Sequence, residues 1–449
     1  MHITTTRLLR NNFFNNRYKY LKISTFVNMS IQNKPSGWTW VPSLYFAEGL
    51  PYVLVMTVSV IMYKNLNLSN TEIALYTSWL YLPWVIKPLW SPFIDIIKTK
   101  RWWIVSAQLL LGAGLAGIAF SLNTDIYISG SLAFFWLLAF SSATHDVAAD
   151  GFYMLGLNEH DQSFFVGIRS TFYRIGMLFG QGLIVILAGL LSSYTNIRNA
   201  WSLTFIILAL IFIGFALLHK NTLPKPENDT KLTNVFTGYF DTFKSFFLRK
   251  NIIVTLLFIL FYRFGEAQLA KLASPFMLDS IDKGGLALST SQVGLVYGTV
   301  GVICLVLGGI LGGIVASKRG LRYWIWPMAL AMKLPDLVYI LLSTYQPDSY
   351  LLICSAVGIE QFGYGFGFTA FMLYLIHISD GKYKTAHYAI ATGIMALGMM
   401  IPGMISGWIQ ESLGYTNFFI WVMLCTLPGL LLIPFLKIPT SFGKKKDKA

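Results

Sequence analysis

Charged side chains are scarce in this chain. Asp, Glu, Lys and Arg together make up 12% of its 449 residues, whereas soluble domains carry about a quarter. The chain is also 55% hydrophobic and 16% aromatic, which is more apolar surface than one soluble domain of this length could bury. The composition therefore excludes a soluble enzyme, a secreted disulfide-bonded scaffold and a disordered protein.

Cysteine is scarce as well. Cys304, Cys354 and Cys425 each lie inside an apolar run, with no C-x-x-C pair and no neighbouring histidine. We therefore expect free thiols, no metal and no cofactor. The N-terminal segment 1–37 lacks the apolar stretch of a secretory signal. We interpret it as a cytoplasmic tail, for which Met29 is an alternative start.

Long apolar runs are abundant. Twelve of them approach the ~20 residues that a helix needs to cross a bilayer. They lie at roughly 41–63, 72–94, 102–121, 127–149, 164–191, 199–219, 251–275, 291–316, 322–344, 350–377, 385–409 and 417–437. We expect an all-α membrane protein of twelve transmembrane helices. It would comprise a first six-helix half at 38–219, a polar linker at 220–250, a second half at 251–437 and a basic tail at 438–449.

The basic residues set the expected orientation. Most of them lie in one set of alternate loops and in the C-terminal tail: Lys98, Lys100, Arg101, Lys220, Lys225, Lys231, Lys244, Arg249, Lys250, Lys318, Arg319, Arg322, Lys382, Lys384 and Lys444–Lys448. The opposite loops carry little beyond Lys64, Arg198 and Lys283. Because positive loops stay in the cytoplasm, both termini are predicted to be cytoplasmic. The net charge of +14 is thus an orientation signal, and we expect no nucleic-acid partner.

A short turn recurs at corresponding places in both halves. The second half reads Gly313-Ile-Val-Ala-Ser-Lys-Arg319-Gly320-Leu-Arg322, which resembles the major facilitator loop signature G-x-L-A-D-R-x-G-R-R. We expect Gly313 to let helices approach closely, Gly320 to form a tight turn, and the two arginines to lie near a helix C-terminus. The first half keeps Asp95 and the cations without the glycines. This motif is structural and names no substrate.

Several ionisable residues lie deep in the predicted spans, where a charge costs several kcal/mol unless it faces a cavity or a partner. Arg263 and Glu266 lie three residues apart in span seven, Glu360 lies near the middle of span ten, and Glu48 lies in span one beside a Gly-Leu-Pro break. An arginine can bind a carboxylate or pyrophosphate, and a buried glutamate can carry a proton. The alternative is a static buried ion pair that fixes helix packing.

Span four ends with two carboxylates on one helical face. Asp146 and Asp150 are four residues apart, and we expect Arg169 or Arg174 of span five as their partner. They would form an inward gate or a proton acceptor, or else a charge network that braces the inner end. His145 points about 100° away on the helix, so a usual metal site is not expected.

Three further features have both a structural and a functional interpretation. Lys87 is either a snorkelling cation or a partner for the span-four acids. Lys333 and Asp336, three residues apart around Pro335, favour a structural pair. The run Gln361–Phe368, which includes Tyr364, alternates glycine with aromatic rings. Close helix packing is favoured there over sugar stacking.

Together these residues resemble the AmpG-type branch of the peptide/acetyl-coenzyme A transporter family within the major facilitator superfamily. The similarity covers about residues 43 to 437. The segments that carry it are Gly49-Leu-Pro51, Lys87-Pro-Leu-Trp-Ser-Pro92, Ser142-Ala-Thr-His-Asp-Val-Ala-Ala-Asp150, Tyr173-Arg-Ile-Gly-Met177, the Arg263/Glu266 patch, Thr385-Ala-His-Tyr-Ala389 and Gly403-Met-Ile-Ser-Gly-Trp408. The chain departs from the family pattern at His145 and His387, where glutamine is common, and at Glu48, where a small residue is common. The Arg263/Glu266 patch also departs, since Lys-Asp is more familiar there.

The resemblance implies proton-driven import of N-acetylglucosaminyl-anhydro-N-acetylmuramyl peptides by a monomer in the inner membrane of a Gram-negative bacterium. The expected substrate-binding residues are Arg263, Glu266, Glu360, Glu48, His387 and Tyr364. The expected coupling or gating residues are Glu360, Asp146, Asp150, Arg174, His145 and Lys87. A permease for another saccharide, peptide or coenzyme, or a non-transporting sensor, remains the alternative. A membrane enzyme is not favoured, because no nucleophile–base–oxyanion constellation appears in the sequence.

Overall fold

A computed structural model describes residues 36–157, 159–225, 239–381 and 384–443, and every regular element in those ranges is helical. The first half contains α1 (Val41–Asn65), α2 (Asn70–Trp79), α3 (Leu82–Ile96), α4 (Lys100–Ser121), α5 (Tyr127–Gly156), α6 (159–191) and α7 (Ile197–Thr222). The second half contains α8 (Tyr239–Phe247), α9 (Ile252–Leu278), α10 (Thr290–Arg319), α11 (Leu321–Tyr345), α12 (Tyr350–Ser379) and α13 (Lys384–Leu432). The all-helical membrane fold expected from the sequence is confirmed.

Ten helices in the described ranges are long and apolar enough to cross a membrane. One of them, α13, bends at Gly414, where a φ of 72° joins two helical arms. The α2–α3 pair is not among the ten, because a break near Tyr81 leaves helices of 10 and 15 residues. Counting the two arms of α13 separately and α2–α3 as one segment would give twelve. Twelve membrane spans and cytoplasmic termini therefore stay predictions, and the extreme N-terminus, with its alternative start, lies outside the described residues.

Local sequence explains where several helices begin. Ser69 and Glu72 form a reciprocal capping box at the start of α2, and Ser289 and Gln292 form another before α10. Each box satisfies two backbone N–H groups that the first turn of a helix leaves unpaired. Both boxes lie at the same end of the molecule, which we call the outer end because its loops are predicted to face outward.

Irregular stretches interrupt four helices where close packing or polar side chains occur. π-helical turns lie at Leu54–Val58 in α1, Phe179–Ile184 in α6 and Gly294–Gly301 in α10. The α6 and α10 turns pack on each other across the two halves. In α9 the regular helix breaks at Arg263, where φ is −107° and ψ is 12°. Such turns widen a helix and often mark functional positions.

Polar contacts join the two halves at the outer end. The ammonium of Lys64 lies 2.7 Å from Oδ1 of Asp279, and the hydroxyl of Tyr415 donates to Oδ2 of the same carboxylate at 2.6 Å. The amide of Asn70 donates to Gln410 at 2.6 Å and to the Tyr415 hydroxyl at 2.9 Å. We call these five residues the outer network. It connects α1 and α2 of the first half to α9 and α13 of the second.

Candidate functional site

A cluster of five ionisable side chains lies inside the second half. Glu266 comes from α9, Lys333 and Asp336 from α11, and Glu360 from α12, while Arg263 occupies the break in α9. We call these residues the core cluster. The three acidic side chains are almost fully buried, with exposed fractions of 3% or less. Their carboxylate oxygens lie within 4.8 Å of one another.

The break in α9 places Arg263 against an aromatic wall on α12. Its guanidinium donates to the hydroxyl of Tyr364 at 2.5 Å and lies 4.9 Å from the ring centre of Phe368. Its Nε is buried and has no hydrogen-bond partner among the described residues. The structure thus brings Arg263 and Tyr364 together, as the binding assignment requires. One donor of Arg263 remains available to a ligand.

Glu360 is held by two neutral donors. The Tyr339 hydroxyl donates to it at 3.2 Å, and the side-chain amide of Gln361 donates at 3.0 Å. Both bonds orient the carboxyl group toward the other acids without supplying a positive charge. Glu360 is therefore fixed in place by neutral partners.

Three other members of the core cluster have buried polar atoms without such bonds. Lys333 Nζ, both carboxylate oxygens of Asp336 and one oxygen of Glu266 are buried without a hydrogen-bond partner in the described part of the chain. The expected direct pair between Lys333 and Asp336 is therefore wrong. The chain between them tightens into a 3₁₀ turn at Leu334–Asp336, and the Lys333 ammonium lies 5.3 Å from the ring centre of Tyr262 instead.

The charges of the core cluster do not balance. Two basic and three acidic groups leave one negative charge in excess when all are ionised. An isolated buried charge costs several kcal/mol, so the cluster is suited to take up one more positive charge. Carboxylates this close could also hold a metal cation, but Lys333 and Arg263 already supply two positive charges. One added positive charge would balance this composition.

A second cluster of the same composition lies in the first half. It contains Glu48 of α1, Lys87 of α3, Asp146 and Asp150 of α5 and Arg169 of α6. We call it the rim cluster. Lys87 forms an ion pair with Asp146, and Arg169 forms one with Asp150 at 3.0 Å. The interpretation of Lys87 as a partner of the span-four acids is confirmed.

The rim cluster is more exposed to solvent than the core cluster. The side chain of Asp150 is 43% exposed, and water therefore screens its charge. Arg169 also donates to the Tyr45 hydroxyl at 3.1 Å and lies 4.7 and 4.9 Å from the ring centres of Tyr45 and Tyr153. These contacts tie α1, α5 and α6 together at one end of the first half.

Three residues that the sequence predicts to act in gating or binding lie outside these two clusters. The guanidinium of Arg174 lies against Gly309 of α10 instead of the α5 acids, because Arg169 is the residue whose helical face meets Asp150. His145 lies 3.0 Å from the amide of Gln108, in a buried chain that continues to His219. It therefore braces α4, α5 and α7. His387 contacts Arg249 and Ser245 near the start of α13.

The loop motif is only partly as expected. Gly320 has a φ of 83° and forms the turn between α10 and α11, and Arg319 bonds to Tyr323 at 2.7 Å. Gly313 is exposed, and a methyl group on its Cα would meet no atom of a neighbouring helix within 4 Å, so its assigned role in close packing is wrong. Gly308 has that role, against the Phe362 carbonyl. The Asp95 side chain lies outside the described residues.

One charged residue at the interface between the halves was missed by sequence reasoning. Lys271 of α9 is buried, donates to the Thr77 hydroxyl of α2 at 3.0 Å, and lies 5.3 Å from the ring centre of Tyr81. It lies inside the apolar run of span seven, where a charged residue is costly unless it faces a partner or a cavity. That depth was the signal in the sequence that could have identified it.

Known proteins resemble this chain along most of its length. Residues 43–334 match the Major Facilitator Superfamily. The chain is 26% identical over 409 residues to a transporter named AmpG 4 from Rickettsia conorii, covering 88% of this chain and 94% of the relative. It is 25% identical over 404 residues to the anhydromuropeptide permease of Escherichia coli K12, covering 87% and 77%. A solved D-xylose-proton symporter shares the fold with a TM-score of 0.70 at 13% identity, covering 91% and 99%.

The helical architecture, the charged clusters and these relatives define a multi-pass membrane transporter that acts on small molecules, and not an enzyme. The chain belongs to the Major Facilitator Superfamily and is a secondary transporter, and its named relatives are of the AmpG type.

Proposed function

We propose that this transporter imports anhydromuropeptides, the sugar–peptide fragments of the bacterial cell wall, together with a proton. It would do so as a monomer in the inner membrane of a Gram-negative bacterium. The names of the AmpG relatives support the substrate class. The observation that carries the coupling is the single unbalanced negative charge of the core cluster.

Burial favours the core cluster over the rim cluster as the coupling site. The core acids are buried and Asp150 of the rim cluster is not, so only the core cluster must neutralise its excess charge to remain dry. Glu360 is the best proton carrier, because its two bonded donors, Tyr339 and Gln361, can serve either protonation state by rotation or exchange of roles. The positive charge of Lys333 would stabilise the ionised carboxylates of both Glu266 and Asp336.

Arg263 would bind the substrate beside the coupling site. A guanidinium binds a carboxylate strongly, and a muropeptide carries peptide carboxylates. The rings of Tyr364 and Phe368 flank Arg263 and offer faces for the sugar. An anionic group bound at Arg263 would cancel one positive charge of the cluster and thereby favour protonation of Glu360. Substrate and proton would then bind together, as symport requires.

Movement between inward and outward states would rest on the two ends of the molecule. The outer network holds the halves together at one end. At the other end, the rim cluster would act as the inner gate when the halves rock about the central site. Glu48, Asp146 and Asp150 would exchange partners in that motion.

The test is uptake of labelled anhydromuropeptide into proteoliposomes with and without an imposed pH gradient. We expect accumulation only with the gradient acid outside, and loss of uptake in Arg263→Gln. Asp282→Asn, which alters an exposed acid in the outer loop, is the matched control and should transport normally. Normal muropeptide accumulation by Arg263→Gln would refute the binding assignment. Absence of any counterflow by the unchanged protein would favour the sensor alternative.

A permease for a different saccharide or peptide is the second candidate. The patch of Arg263 and Glu266, where Lys-Asp is more familiar in AmpG-type transporters, supports this candidate, because an arginine offers a planar fork that a lysine lacks. Competition of labelled uptake by plain disaccharides and by free peptides separates the two. Stronger competition by a substrate without anhydromuramyl sugar would replace the muropeptide.

A further inference from the structure

Two basic pockets lie side by side on the second half, away from the core cluster. The first, of about 200 Å³, lies where α8, α9 and the end of α12 meet. The second, of about 540 Å³, lies between the start of α11 and the chain that follows α13. Leu436 and Lys437 line both pockets. The two pockets therefore adjoin each other at these two residues.

The walls of both pockets are cationic. Arg249, Lys250 and Lys437 line the first, and Arg322 and Lys437 line the second, and neither wall includes an aspartate or glutamate. In the described part of the chain the side-chain cations of Lys250, Arg322 and Lys437 have no ion-pair partner. The combined site thus concentrates unpaired positive charge.

Hydrogen bonds of Arg249 hold the wall of the first pocket in place. Its guanidinium donates to the backbone carbonyls of Ile378 and of Asp380, the latter at 2.6 Å, at the end of α12. His377, also in the wall, lies 3.1 Å from the carbonyl of Lys437. These bonds hold the start of α9, the end of α12 and the segment after α13 in fixed relative positions. The lysines then project from a rigid frame.

The surroundings of the pockets are apolar and exposed. Leu248, Ile253 and Phe435 are 73%, 71% and 65% exposed, and Trp326 in the wall of the second pocket is 41% exposed. In a membrane transporter such side chains contact lipid. The pockets therefore open at the boundary between the hydrocarbon and the head groups, where cations and acyl-chain contacts are offered together.

We propose that the joined pockets bind the phosphate head group of an anionic phospholipid. The phosphate would lie between Lys437 and Lys250 or between Lys437 and Arg322, and the acyl chains would run along Ile253 and Phe435. Basic pockets between transmembrane helices are suited to lipid phosphates in this way. A lipid with two phosphates would occupy both pockets at once, and we therefore choose cardiolipin as the probe.

The experiment measures lipid binding to the purified full-length protein by native mass spectrometry. Cardiolipin is compared with phosphatidylethanolamine of the same acyl chains, and inorganic phosphate is added as a competitor. We expect selective retention of cardiolipin, unaffected by millimolar phosphate. In the triple variant Lys250→Gln, Arg322→Gln, Lys437→Gln, cardiolipin binding should fall on the order of a hundredfold, because three interfacial cations are removed.

Two controls keep the inference falsifiable. The triple variant Lys98→Gln, Lys220→Gln, Lys225→Gln removes three exposed cations from the corresponding end of the first half and should retain binding. Lys250→Arg with Lys437→Arg should also retain it. Equal retention of phosphatidylethanolamine, equal loss in both triple variants, or displacement by inorganic phosphate would each overturn the lipid assignment. None of these results depends on transport, so the proposed function is tested separately.

Discussion

Replacing Glu360 by glutamine should remove proton coupling while leaving the other steps of the transport cycle in place. Glutamine has nearly the same shape and still accepts from Tyr339, but it removes the excess negative charge of the core cluster. Because that charge is one, the proposed coupling predicts one proton per substrate. With the membrane potential held at zero, a gradient of about one pH unit should then concentrate a neutral substrate–proton pair about tenfold, since one unit corresponds to 1.36 kcal/mol.

The variant should not concentrate substrate at all. We expect Glu360→Gln to equilibrate labelled substrate to about the same concentration inside and outside, while exchange of external for internal substrate continues at a rate comparable to that of the unchanged protein. Time courses of uptake at several imposed pH gradients measure both quantities. The reasoning would be refuted by a variant that still accumulates substrate about tenfold. A hundredfold accumulation by the unchanged protein would likewise show that two protons move.

Three further variants test the surrounding structure. Lys64→Met removes the ion pair to Asp279, whose side chains are 13% and 8% exposed. Leaving that largely buried carboxylate without its cation costs about 3 kcal/mol, so maleimide labelling of a Ser78→Cys probe from the outer side should increase more than tenfold; unchanged labelling would contradict a role in closure. Arg169→Lys keeps the charge but cannot contact Asp150 and Tyr45 together, so uptake should fall about tenfold, and normal uptake would show that charge alone suffices. Gly320→Ala places a side chain at a φ of 83° and should destabilise the protein by about 1–3 kcal/mol, seen as a lower Tm in a thermal unfolding assay; an unchanged Tm would show that the turn relaxes.

Hydropathy predicted the helices well, because it depends only on which residues of the chain are apolar and not on how the helices pack. The apolar runs correspond to the helices that the structure describes, and the two places where they differ from simple spans have local causes. The break near Tyr81 divides α2 from α3, and Gly414 bends α13 without ending the helical hydrogen bonding around it. The break near Tyr81 does not change the average hydropathy of its run and was therefore not visible. Gly414 lies between two apolar runs that predict separate spans, and the structure joins these runs in one bent helix.

The candidate site was less predictable, because it depends on how each helix is rotated against its neighbours. Depth in the membrane correctly singled out Arg263, Glu266 and Glu360 as a group. The same reasoning left Arg169 and Arg174 as alternative partners of the span-four acids. Only the packing of α6 on α5 shows that Arg169 is the partner of Asp150. Asp336 was assigned to a local pair, since spacing along one helix says nothing about carboxylates on two other helices.

The outer network has a kinetic consequence for an importer. Its ion pair and hydrogen bonds join the two halves at the outer end, so in the proposed cycle the empty carrier would have to break them before it collects another substrate. Return of the empty carrier would then limit the rate of net uptake. Substrate already inside would relieve that limit, because it would bind the carrier and be transported outward when the carrier returns. Preloaded vesicles should for this reason exchange labelled substrate faster than empty vesicles accumulate it.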